Sequence, residues 1–383
     1  MTRKSSLQLV SVLLFLVLCA VGFRIAASKP LWKDELYTQN NAVQGMSSVR
    51  LLVGRNTGEG NNAPLFYLIQ QWTKFVPDVL VSNELEKDAI CADMKKMLLL
   101  RIPSVLFMSA ALVLLFFFFA MEFSVFAGIY ALLCALASPM VWLYWAEARP
   151  YPLVVFFTVV QSLILIKMSR GADERDKRWP ALVIVNFLLV FTSYLSMIQV
   201  LGAALVCWFC GERLGKRLAW ILAPVVVALF YRFQGVHEAY DLFFQWSYFL
   251  DNIPLDRIAF CAIAALILFV APPMKAGIVS SKEEQVLGHY SRFLLLVLIG
   301  FSLVLLMVKV QETHLKQLGL HSRFFIALTP MGIIEQVLVA LCLFRVAIRE
   351  QWLAWSALAM TILLSVIAFW HTSAQVVSGL KFL

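Results

Sequence analysis

Several charged residues of this chain stand at the edges of apolar runs, where they could act on a membrane-borne substrate. Asp34 and Glu35 lie in LWKDELYTQ, residues 31–39, directly after the first apolar run. A carboxylate at headgroup depth can take the proton of a hydroxyl that attacks an electrophilic carbon. Asp34 has a second plausible job, capping the helix that follows it. Glu147 and Arg149 lie in YWAEARPYP, between two later apolar runs. A guanidinium can hold a phosphate through two parallel hydrogen bonds, and Glu147 could orient it or position an acceptor. Arg101 and Arg323 are further phosphate-binding candidates, with snorkelling to lipid headgroups as the alternative for each. His237, Glu238 and Asp241 form an H-E-x-x-D pattern that a hard metal could accept. The pattern reads better as a solvated loop, and no metal or other cofactor is predicted.

The elements that must position these residues are membrane helices. The chain has 383 residues, 61% hydrophobic and 14% charged, against about 25% charged in soluble domains. Apolar stretches long enough to cross a bilayer recur, and the alternating segments of about ten residues that mark a β-barrel do not. The expected fold is an all-α integral membrane bundle of about eleven spans. They are read at 7–27, 98–119, 126–144, 153–168, 180–197, 199–211, 217–231, 255–271, 292–310, 324–344 and 352–370. The whole chain, 1–383, reads as a single transmembrane domain with no separate soluble domain, and the first helix as a retained span rather than a cleaved signal.

Residues 28–97 read as a long first extracytoplasmic loop. Within it, 64–76 has Leu65, Leu68, Ile69, Trp72 and Val76 on one helical face and Tyr67, Gln70, Gln71 and Lys74 on the other. That is the pattern of an interfacial amphipathic helix, with Pro64 at its start. Loop charges support this. If the helix does not cross, the Lys167–Arg178, Arg213–Arg217, Lys275–Arg292 and Arg345–Arg349 segments all fall inside with the N-terminus, as the positive-inside rule asks. The candidate residues Asp34, Glu35, Arg101, Glu147, Arg149 and Arg323 then share the outer side.

The net charge of +9 therefore reads as topology and affinity for anionic lipid, not as nucleic-acid binding. No pair of the seven cysteines shares an extramembrane loop, so no disulfide is expected. Cys207-x-x-Cys210 lies in an apolar helix and reads as two small hydrophobes. Trp32, Trp142, Tyr144 and Trp145 fall at the outer interface, where they form an aromatic belt or stack on sugar. No Walker-type or G-x-G-x-x-G run is present, which argues against ATP-driven transport by this chain.

Five segments in order resemble the membrane-embedded glycosyltransferases of the GT-C fold. LWKDELYT resembles their W-x-D-E segment, and NAPLFYLI their P-P-L-Y-Y. RIPSVLF resembles R-L-P-S, YWAEARPYPLVVFF resembles Y-S-Q-E-A-R-P-Y-x-L, and SRFFIALTP a late P-R-Y-L-L-P-L-L-P. The family includes protein O-mannosyltransferases and lipid A aminoarabinose transferases. The resemblance implies a polyprenyl-phosphate-sugar donor, an active site on the extracytoplasmic face and inversion at the anomeric carbon. It implies Asp34, with Glu35 beside it, in the catalytic role. Arg149, Glu147, Tyr151, Arg101 and Arg323 would bind the donor phosphate or substrate. Some members hold a divalent metal through the Glu of an E-K-P-P segment. Here the matching stretch is Asn61-Asn62-Ala63-Pro64, which lacks that Glu.

The expectation is thus a multi-pass transferase of a bacterial inner membrane, facing the periplasm or exterior. Its partners would be a polyprenyl-phosphate-linked sugar, membrane lipids and a lipid, glycan or protein acceptor, without nucleic acid. The alternatives are a lipid or solute transporter or flippase, and a non-catalytic relative acting as an assembly subunit. A transporter would show repeated halves and charges near the bilayer midplane.

Overall fold

A computed structural model describes residues 3–29, 31, 35–36, 38–39, 47–52, 63–72, 94–169, 172–209, 215–234, 258, 262, 281–307, 326–347 and 359. Asp34, Arg323, His237, Glu238, Asp241, Cys210, and the spans read at 255–271 and 352–370 (apart from isolated positions) lie outside the described residues. So do residues 73–76 of the helix read at 64–76.

The described residues are helical throughout, without a strand. In chain order the helices are α1 Arg3–Ser28, α2 Ser48–Leu52, α3 Leu65–Gln70, α4 Met94–Glu122, α5 Val125–Leu136 and α6 Pro139–Tyr144. There follow α7 Tyr151–Met168, α8 Ala172–Thr192, α9 Met197–Phe209, α10 Lys216–Gln234, α11 Ser281–Met307 and α12 Leu328–Ala347. Three segments, Arg3–Ser28, Met97–Glu122 and Tyr151–Met168, are long and apolar enough to cross a membrane.

Side-chain contacts give the helix directions. Arg3 Nη2 donates to the carbonyl of Ala120 (3.1 Å) at the end of α4. Arg101 Nη1, near the start of α4, donates to Ala26 O (2.8 Å) at the end of α1. Helices α1 and α4 are therefore antiparallel, and the connection between them leaves and returns at one end of the bundle. Lys167 at the end of α7 pairs with Glu122 at the end of α4 (2.8 Å). Helices α4 and α7 therefore run parallel, and the intervening segment brings the chain back.

That return is made by two helices, not by the single span read at 126–144. After α4 the chain turns sharply and Ser124 caps α5, its Oγ accepting from Ala127 N (3.1 Å). Gly128 then lets α5 lie against α4, since a Cβ there would come 2.6 Å from the Phe116 carbonyl. The helix stops at Leu136 because Pro139 cannot donate to the helical ladder and biases Ser138 to its extended φ −83°, ψ 118°. Helix α6 completes the return.

Helix α7 is the axis. It packs against α4, α8, α11 and α12, and its buried residues, from Pro152 and Leu153 to Ile166 and Met168, lie on every side. An apolar helix without a polar stripe is what such a position requires. Its few polar side chains each reach a different neighbour: Thr158 donates to Gln199 (3.1 Å), Gln161 to Asn186 (2.8 Å), and Ser162 accepts from Tyr290 (3.0 Å). Such bonds fix helix register where dispersion alone is indifferent to sliding.

The break read between 197 and 199 falls earlier, where α8 ends at Thr192 and a 3-10 turn at Tyr194–Ser196 leads into α9. Helix α8 begins at Ala172, so the charged stretch read as a loop up to Arg178 is already helical from there.

Candidate active site

The sequence builds the site from three segments at one end of the bundle: the chain leaving α1, the second turn of α4, and the α6–α7 turn. In the last of these, Pro150 stands at the N-cap of α7 and Pro152 in its first turn, where a missing N–H costs nothing. The helix therefore starts directly after Arg149. Upstream the chain turns tightly, with Glu147 N donating to Tyr144 O (3.5 Å) and Arg149 N to Glu147 O (2.7 Å).

Arg101 and Glu35 join the three segments. Arg101 Nε donates to Glu35 Oε1 (3.0 Å) and Nη2 to Oε2 (2.6 Å), a bidentate pair. Both residues are buried, at 1% and 2% exposure. Removing two charges from water is costly, and the cost is offset only when the remaining donors and acceptors are used. Here Arg101 Nη1 donates to Ala26 O (2.8 Å) and Lys29 O (2.6 Å), and Glu35 Oε1 also accepts from Ala148 N (2.6 Å). One ion pair thus ties the end of α1, the LWKDELYTQ segment, α4 and the EARP turn together. With all three of its nitrogens engaged by protein, Arg101 is a positioning residue. The same geometry makes Glu35 a holder of the site, adjacent in sequence to Asp34.

Arg149 lies on the other side of Ala148. Its Nη1 donates to Thr38 Oγ1 (2.6 Å), and its guanidinium stands 5.9 Å from the centroid of the Tyr151 ring. Tyr151 in turn packs on Tyr144 at 4.8 Å between centroids. Glu147 is buried beside them. Five of the seven residues predicted from sequence, Glu35, Arg101, Glu147, Arg149 and Tyr151, are therefore gathered at one end of the bundle. Asp34 and Arg323 lie outside the described residues.

Lys29 was not singled out by its sequence context. Burial pushes its ammonium below the ordinary lysine value, Glu147 draws it back up, Arg101 pushes it down and Glu35 draws it up. Its Nζ donates to Leu143 O (3.4 Å). Among the described residues this end therefore holds Lys29, Arg101 and Arg149 against Glu35 and Glu147, a surplus of one positive charge. The polar residues Thr38 and Gln39, in a π-type turn, were also missed; the only signal was their place three and four residues after Glu35.

Helix α3 lies against α4 and α8. Its buried residues are Phe66, Tyr67 and Gln70, with Gln71 buried just beyond, while Leu65, Leu68, Ile69 and Trp72 are half-buried. The polar face therefore packs inward, the reverse of the expectation for a helix bathed in water on that side. The reason lies in α4. Gln70 Nε2 donates to the carbonyl of Leu100 in that helix (3.2 Å), which draws the polar face inward.

Trp145 is also placed differently from the sequence reading. It is fully buried, its Nε1 donating to Ser109 Oγ (3.2 Å). A Cβ on Gly22 would come 2.7 Å from Val105 Cγ1 and 2.8 Å from Trp145 Nε1. Trp145 thus fills the seam between α1 and α4 and carries the start of the EARP turn, with no exposed ring face. Tyr144 is buried as well, whereas Trp142 is partly exposed. Cys207 is buried and is not in a disulfide.

No protein-family model matches the chain, and no curated protein matches it.

Proposed function

We propose that this chain is a membrane glycosyltransferase of the GT-C type that moves a sugar from a polyprenyl phosphate to an acceptor on the extracytoplasmic face. The observation that supports it best is the Glu35–Arg101 pair with its bond to Ala148, which joins the acidic segment to the arginine turn in a buried cluster of charged side chains. In this reading Asp34 takes the acceptor hydroxyl's proton. The freed oxygen attacks the anomeric carbon from the face opposite the lipid phosphate, the bond to phosphate breaks, and the configuration inverts. The phosphate leaves with the electron pair and its negative charge meets Arg149, a pre-placed donor of the kind that stabilises a charge developing in the transition state. The polyprenyl tail lies among the helices. The bundle of about eleven spans, with residues 28–97 outside, belongs to the same proposal.

Mass spectrometry of lipids and glycans tests it, in membranes carrying the wild type or Asp34→Asn. The reading expects a lipid-linked sugar to accumulate with Asp34→Asn and a glycan to disappear. Identical profiles would count against it.

One observation favours a transporter as a second reading. Glu335 on α12 is fully buried within the bundle, bonded by Ser291 on α11 (2.5 Å). Acids at such positions commonly mark substrate or ion pathways. A transporter would lose uptake or flipping with Glu335→Gln; a transferase with a structural Glu335 would not.

A further inference from the structure

Glu335 lies near the middle of the span read at 324–344, and every residue of α12 from Met331 to Val339 is buried. Its side chain, 0% exposed, therefore meets neither lipid nor water. The carboxyl has one partner among the described residues: Ser291 Oγ lies 2.5 Å from Oε1, and Oε2 is buried without a hydrogen bond. Helix α12 packs against α11, α5 and α7, and their described residues bring no cation to it. Lys167 of α7 pairs with Glu122 (2.8 Å), and Arg292 of α11 is exposed. His289 stands two positions before Ser291, so it lies on another face of α11. Tyr130 of α5 accepts from Gln336 Nε2 (3.3 Å), and Tyr290 donates to Ser162 (3.0 Å).

A carboxylate is badly served by these surroundings. Its charge would be shared with Oε2, which faces no donor, and an isolated buried carboxylate neutralises itself by taking up a proton. In the neutral acid the proton sits on Oε1 and donates to Ser291 Oγ. Oε2 is then a carbonyl oxygen, which loses much less by standing alone.

We propose that Glu335 is a proton-binding site inside the bundle, and that its bound proton makes the contact between α11 and α12. The proton comes from water and returns to it, so it exchanges only when the two helices part at Ser291 and Glu335. Loss of the proton leaves a charge that the closed contact cannot hold, which favours the open arrangement. The assignment rests on the burial of Glu335 and not on sugar transfer. If the chain is a transporter, the proton is the ion that Glu335 carries.

Infrared spectra of the purified protein in detergent at neutral pH test it, for wild type, Glu335→Gln and Ser291→Ala. A protonated carboxyl has a C=O stretching band that a carboxylate lacks. Wild type is expected to show such a band that Glu335→Gln has lost. Ser291→Ala removes the acceptor and is expected to shift the same band, a result that does not depend on the folding of the glutamine variant. In heavy water the band of wild type is expected to move slowly, at the rate at which the helices part. A wild-type spectrum without a band that responds to either substitution would show an ionised Glu335 and overturn the assignment. A shift complete on mixing with heavy water would overturn the need for the helices to part.

Discussion

Arg101 and Glu35, 66 positions apart in the chain, face each other fork to fork in a buried ion pair, with N–O distances of 3.0 and 2.6 Å. Breaking one side of such a pair leaves an uncompensated charge in the interior. Glu35→Gln and Arg101→Met are each expected to destabilise the protein by about 3–5 kcal/mol. Because they remove one interaction, the double variant should cost much less than the sum. Chemical unfolding of the four proteins in detergent gives the coupling; additive losses would remove the pair from its joining role.

Gly22 sits where α1 meets α4 and Trp145. Any Cβ there meets Val105 Cγ1 at 2.7 Å. Gly22→Ala is expected to cost about 1–3 kcal/mol through overpacking, and Val105→Ala in the same chain should recover part of the loss. The change in unfolding midpoint and a shift in Trp145 fluorescence would report it.

The antiparallel pairing of α1 and α4 puts both ends of the intervening connection at one end of the bundle. Glu59→Cys and Asp88→Cys should therefore both react with an impermeant thiol reagent added from outside. Labelling of Glu59→Cys alone would make residues 64–80 a true span and reverse the later topology.

Burial sets the direction of the Lys29 titration, below the ordinary lysine value. A lowered value in the folded state means that the unfolded chain binds more protons in the window between the two values. Stability therefore rises with pH across that window, up to the ordinary lysine value of about 10.4. Below the window both states are protonated and the penalty is constant. The difference in stability between wild type and Lys29→Met, followed by unfolding against pH, should carry this slope. A flat difference would show that Lys29 is fully solvated.

The helices that were legible in the sequence are those with long unbroken apolar runs. Residues 7–27, 98–119 and 153–168 correspond to α1, α4 and α7; α1 and α4 are longer at both ends, and α7 starts two residues earlier and ends where expected. Hydropathy misjudged 126–144, because the run is continuous in polarity and its break is steric, at Ser138-Pro139. It also placed the start of α8 late, since charges do not end a helix that continues beyond the apolar region. The site was legible as residue types, Glu35, Arg101, Glu147, Arg149 and Tyr151. Its connections were not, since a pairing across 66 residues leaves no periodic trace. The burial of Trp145 follows from Gly22 and Ser109, which only the packing of two helices brings to it.

Sugar transfer by the purified protein tests the central claim most directly. A polyprenyl-phosphate-sugar labelled in the sugar is incubated with wild type, Asp34→Asn, Arg149→Lys and Arg149→Ala, together with a membrane extract as acceptor. The account predicts transfer by wild type and none by Asp34→Asn, whose amide is nearly isosteric but a far weaker base. Lysine keeps the charge of Arg149 but loses its fork. Arg149→Lys should therefore be slowed, and Arg149→Ala slowed roughly ten- to a hundredfold, from a charge-assisted contact of about 1.5–3 kcal/mol. Transfer by Asp34→Asn at the wild-type rate would contradict the account.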